Sequence, residues 1–97
     1  MSHFPERNPR LAWREIDGEA VIISPGDSHV HELNETASLI WKRADGRHNV
    51  DEIAAAVSEE YEVPVAVAAT DVRELISTLE QKGLLSIRKP DEVVAGA

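Results

Sequence analysis

The 97-residue sequence has no cysteine. That excludes disulfides, thiolate zinc ligands and cysteine nucleophiles, and it accords with a reducing compartment. No apolar run approaches the roughly 18 residues that a membrane span needs, and the opening has no secretory-signal pattern. The five glycines, Gly18, Gly26, Gly46, Gly83 and Gly96, are scattered, so no glycine-rich loop is available to cradle phosphate. Basic residues are outnumbered, 10 Lys and Arg against 18 Asp and Glu, for a net charge of -8. Nucleic-acid binding leaves a concentrated basic footprint. Here the bases are spread over Arg7, Arg10 and Arg14, then Lys42, Arg43 and Arg47, then Arg73 and Lys82, then Arg88 and Lys89. The expectation is a small cytoplasmic domain with an acidic, soluble surface, no membrane partner and no nucleic-acid partner.

What is present is pattern. Apolar residues make up 42% of the chain, and a chain this short buries only roughly 60–65% of its unfolded surface, which limits it to one modest core. The organising stretch is residues 33–49. Asn34 is an N-cap by type, and Ala37, Ile40, Trp41 and Ala44 recur at the spacing of one buried helical face. Asp45-Gly46 is a helix stop. Asn49 with Glu52 three residues on reads as a capping box that starts a second helix, 50–61, with Val50, Ile53, Ala54, Val57 and Tyr61 inward. After Val63-Pro64 the pattern predicts a third helix over 67–82, with Ala68, Val72, Leu75, Ile76 and Leu79 on its inner face and Gly83 as its cap.

Before residue 33 the period is two. Residues 11–16, 20–23 and 28–32 read as strands, joined by an Asp17-Gly18 hairpin turn and by Pro25-Gly26-Asp27. The layout predicts an α+β, winged helix-turn-helix-like domain, a three-stranded antiparallel sheet followed by a three-helix bundle. Residues 1–10 read as a flexible N-terminal arm, 11–88 as the domain, 85–88 within it as a short extended piece, and 89–97 as a flexible C-terminal tail.

Reactive groupings are absent. His29 and His31 alternate on the third strand and share a face, a spacing some metal sites use, but no motif supplies a third ligand. The expectation is no metal and no cofactor. Serines stand in no nucleophile-elbow context, and carboxylate pairs such as Glu59-Glu60 lie on a polar helical face. The chain reads as non-catalytic. A binding surface remains: an uncovered sheet edge is a template for another strand. Ser28, His29, Val30, His31 and Glu32 form a short, polar candidate edge for β-strand addition of an extended peptide. A covered or central third strand stands as the alternative. So do a winged-helix DNA-binding regulator and a subunit that uses the same edge to form a homodimer.

The sequence Leu33-Asn34-Glu35-Thr36-Ala37, with Ile40-Trp41, Asp45-Gly46, Val50-Asp51-Glu52-Ile53, Asp71-Val72, Leu79 and Gly83-Leu84-Leu85, resembles the PqqD family over residues 11–87. The resemblance implies a non-catalytic peptide chaperone of coenzyme PQQ biosynthesis or a related pathway. Such a domain binds the leader of a ribosomally made precursor peptide and presents it to a modifying enzyme, often a radical S-adenosylmethionine enzyme. It also implies that the leader adds to the third strand and lies in a groove closed by the third helix. Carried onto this chain, the peptide-binding residues are Ser28, His29, Val30, His31, Glu32 and Leu33 on the edge. On the helix the candidates are Asp71, Val72, Leu75, Ile76 and Leu79, some of which must face the core instead, with Arg73, Glu74 and Thr78 at the rim. Trp41 and Ala44 stand where quinone-pathway members typically carry Leu and a nearby Cys, which draws the chain toward the broader PqqD-like set.

Overall fold

Asp17 and Gly18 take positive φ, 53° and 84°, the pair of conformations that a type I′ turn requires and that matches the twist of the strands it joins. A computed structural model describes residues 3–24 and 29–88 of the chain. In chain order the elements are β1 (Phe4–Arg7), β2 (Ala12–Ile16), β3 (Glu19–Ser24), β4 (His29–Glu32), α1 (Glu35–Arg43), α2 (Val50–Tyr61), α3 (Val65–Gln81) and β5 (Leu85–Arg88). The turn sets Ile16 opposite Glu19, and β4 pairs with the other side of β3, giving an antiparallel sheet in the order β2-β3-β4. The expected Pro25-Gly26-Asp27 turn, the expected strand residue Ser28 and the expected tail over 89–97 lie outside the described residues.

The expected N-terminal arm is different in the structure. Residues 4–7 are β1, paired antiparallel with β5 from Phe4 opposite Arg88 to Arg7 opposite Leu85. Pro5 is tolerated because a two-stranded sheet consists only of edges; its carbonyl accepts the Gly46 N–H at 2.8 Å. The Arg7 N–H donates to the Ala44 carbonyl at 2.9 Å, and its guanidinium reaches the carbonyls of Trp41 and Lys42 at 2.9 and 2.8 Å. One N-terminal residue thus bonds three carbonyls at the end of α1, where the Trp41 carbonyl also takes the Ala44 N–H at 3.1 Å. Gly46 takes φ 80°, a left-handed conformation that favours glycine, and the Glu6 carboxylate end packs where a Cβ would stand.

The helices start as their caps dictate. The Asn34 side chain accepts the Ala37 N–H at 2.8 Å. Asn49 and Glu52 exchange reciprocal bonds, each 2.8 Å, as a capping box. The third helix begins at Val65, two residues before the position read from the sequence, directly after Pro64. Core residues come from one face of each helix and the inner face of β3: Ala20 and Ile22, then Ile40 and Trp41, then Ile53 and Val57, then Val72 and Ile76. Among the described residues no helix is long and apolar enough to cross a membrane.

Candidate functional site

Ser38 is the buried polar residue that fixes how the sheet meets α1. Its hydroxyl oxygen accepts the Ala20 N–H at 2.6 Å and its hydroxyl donates to the Leu33 carbonyl at 3.2 Å. The Leu33 N–H in turn donates to the Ala20 carbonyl at 2.9 Å. The Ser38 hydroxyl therefore replaces one rung of the β3–β4 ladder and ties both strands to the helix.

This rung settles the parity of β4. In an antiparallel pair, hydrogen-bonded and non-hydrogen-bonded residue pairs alternate. With Leu33 bonded to Ala20, His31 opposite Ile22 and His29 opposite Ser24 turn their backbone groups toward β3. Val30 and Glu32 turn theirs the other way, to the side where, among the described residues, β4 has no neighbouring strand. The edge therefore presents an N–H and a carbonyl at Val30 and again at Glu32, about 6.6–6.8 Å apart along the strand. Their side chains stand on the outer face of the sheet, where Val30 (58% exposed) lies opposite Ile23 (42% exposed).

Between the start of α1 and the middle of α3 runs an open groove of about 320 Å³. Asn34, Thr36, Ala37 and Ile40 line it from α1, Asp71 and Leu75 from α3. Its lining is mixed, with Ala37, Ile40 and Leu75 apolar and Asn34, Thr36 and Asp71 polar.

The residues expected at the site divide. Val30, Glu32, Asp71 and Leu75 are on the edge or the groove wall. Val72, Ile76 and Leu79 are corrected to the core, each 5% exposed or less, because the stripe centred on them faces α2. Leu33 also leaves the edge: both its backbone groups are bonded to Ala20 and Ser38. His29 and His31 share a face, as their alternation requires, with ring centroids 6.0 Å apart, and among the described residues no group of three potential ligands gathers to hold a metal ion. Arg73, Glu74 and Thr78 are exposed outside the groove lining, and the Thr78 hydroxyl donates to the Glu74 carbonyl at 3.0 Å. The α1 wall and Ser38 were missed as site residues. Asn34 announces itself only as a cap, and Ser38 is one serine among polar helix positions.

A perturbed carboxylate lies elsewhere, where α1 meets β1. Burial raises the Asp45 pKa, but the Arg47 N–H at 2.8 Å and the His48 ring at 3.0 Å outweigh it and hold the group below its ordinary value.

A family model described as "Coenzyme PQQ synthesis protein D (PqqD)" matches residues 19–85. The chain is 36% identical over 78 residues to a PqqA binding protein of Xanthomonas campestris pv. campestris (strain B100), covering 80% of this chain and 83% of that one. It is 31% identical over 81 residues to a PqqA binding protein of Rhizobium meliloti (strain 1021), covering 84% and 81%. Among solved structures, TbiB1 in complex with the TbiA(beta) leader peptide superposes with a TM-score of 0.76 at 25% identity, over 84% of this chain and 94% of that one. The PqqD truncation of Methylobacterium extorquens PqqCD, a RiPP recognition element, shares the fold at a TM-score of 0.70 and 24% identity, over 84% and 87%.

Proposed function

The chain belongs to the PqqD family, and from that premise we propose that it is a non-catalytic chaperone for a ribosomally made precursor peptide. The leader adds as a strand to the open side of β4 and rests a side chain in the groove between α1 and α3. The observations that carry this reading are an edge strand whose outward backbone groups are those of Val30 and Glu32 and a groove of mixed apolar and polar lining between α1 and α3. Main-chain bonds along the edge give affinity without demanding a sequence, and the groove supplies selectivity. The relatives named for binding PqqA and the TbiB1 structure with its leader peptide support a peptide-binding role.

In this reading the helices and sheet act as a winged-helix-like platform. The groups displayed on it hold and present a peptide, and the chemistry belongs to a partner, a peptide-modifying enzyme of the radical S-adenosylmethionine or another class. The pathway is coenzyme PQQ biosynthesis or a related peptide modification, carried out in the cytoplasm where the precursor is made. A homodimer formed through the same edge would compete with the leader.

Amide exchange tests the mode. With the leader of a precursor encoded beside this chain bound, exchange slows at Val30 and Glu32, whose N–H groups gain partners. Unchanged exchange at both positions in a saturated complex rules out strand addition at β4.

A further inference from the structure

The groove is chemically lopsided. On the α1 side, the Asn34 oxygen takes the Ala37 N–H of the helix N-terminus, and Glu35 adds a negative charge to the first turn. On the α3 side, the Asp71 carboxylate is exposed on the groove wall and has no hydrogen bond or ion pair to any described residue. One helical turn on, Leu75 continues the wall, and with Ala37 and Ile40 it makes the apolar part. The charge left unanswered in the groove is therefore negative, and it stands directly beside an apolar patch.

The spacing of these two features fits an extended chain. Residues four apart on a helix lie on one face, about 6 Å apart along its axis. Successive side chains on one face of a strand are about 6.6–6.8 Å apart. We infer that the groove selects an extended peptide in which an apolar side chain and a lysine or arginine stand two residues apart, the apolar one among Ala37, Ile40 and Leu75 and the cation on Asp71. This inference rests on the strand-addition reading and specifies the peptide class that reading leaves open. Once the peptide covers the groove, water is displaced from around Asp71, and the ion pair counts for more than an open surface pair.

The net charge of -8 draws any basic peptide toward the protein, so the test separates the local carboxylate from the general field. The probes are fluorescein-labelled Thr/Val host peptides with a central Leu-Thr-Lys or Lys-Thr-Leu, each paired with versions carrying Gln or Glu in place of Lys. Titrated against the full chain, one of the two orders binds about tenfold more tightly than its Glu version. Asp71→Asn removes that preference and Asp71→Lys inverts it. Asp51→Asn, on the exposed first turn of α2, takes the same charge from the protein and leaves the preference intact. Asp71 is exposed, so neither replacement disturbs the core. Peptides that bind with equal affinity whatever the residue at the Lys position, while shifting the amides of Val30 and Glu32, overturn the cation selection and leave strand addition standing. A preference that Asp71→Asn and Asp51→Asn reduce alike overturns the local assignment. Failure of every peptide to bind overturns both readings.

Discussion

The rings of Trp13 and Trp41 meet edge to face, with centroids 6.0 Å apart and planes at 90°. The Arg7 guanidinium carbon lies 5.3 Å from the centroid of the Trp13 ring. Strand β2, helix α1 and strand β1 are thereby joined through one stack, with Trp41 fully buried at its inner end. Aromatic pairs in this geometry contribute beyond their buried area, and a cation over a ring adds to it.

Trp41→Ala should therefore cost about 3–5 kcal/mol, the range for emptying an aromatic site in a core. The Trp41 indole N–H is buried with no acceptor among the described residues, so Trp41→Phe gives up no protein hydrogen bond there, loses some packing and should cost less than the alanine change. Urea unfolding of the two variants checks both magnitude and order.

Ser38→Ala leaves the buried Ala20 N–H without its acceptor and the Leu33 carbonyl without its donor. The expected loss is about 1–3 kcal/mol. Because the same hydroxyl ties β4 to α1, amide exchange at His31 and Leu33 should accelerate more than exchange in α2.

Two proline substitutions one residue apart should behave oppositely. Val30 directs its N–H away from β3, so Val30→Pro should keep the fold and lose most leader affinity. His31 directs its N–H toward Ile22, so His31→Pro should lower the unfolding midpoint, since proline removes a ladder donor. Circular dichroism melts alongside peptide-binding isotherms separate the two effects. A folded Val30→Pro variant with unchanged affinity would place the peptide on another edge.

Asp45 gives the domain an acid limb. Its folded pKa lies below its unfolded value, so its stabilising contribution is complete above roughly pH 4–5 and is lost as pH falls through the folded pKa. Asp45→Asn should be less stable than the parent near neutrality, with the difference shrinking toward zero on acidification. Urea midpoints between neutral and strongly acidic pH report it.

Local signals carried much of this architecture. The Asp17-Gly18 hairpin, the Asn34 and Asn49 caps and the Gly46 stop are each written within a few residues, because turn and cap chemistry is a short-range matter. The β1–β5 pairing is not local. Four residues beginning Phe4-Pro5 have no period to read, and their partner lies at the far end of the domain. The candidate site was grouped by the sequence but not divided. Helical spacing groups Asp71, Val72, Leu75, Ile76 and Leu79, but only packing against α2 divides the core stripe from the groove wall. The parity of β4 also lay beyond the sequence, since side-chain alternation does not reveal which backbone groups β3 consumes. The Ser38 rung supplies that answer.

Titration of isotopically labelled protein with the leader peptide of a neighbouring precursor gene, following every backbone amide, tests the central claim most directly. Strand addition at β4 predicts saturable shifts concentrated at Val30 and Glu32 on the edge and at Ala37, Asp71 and Leu75 around the groove, with α2 unmoved. Saturable shifts confined to α2 or to β2, with β4 and the groove silent, would contradict it.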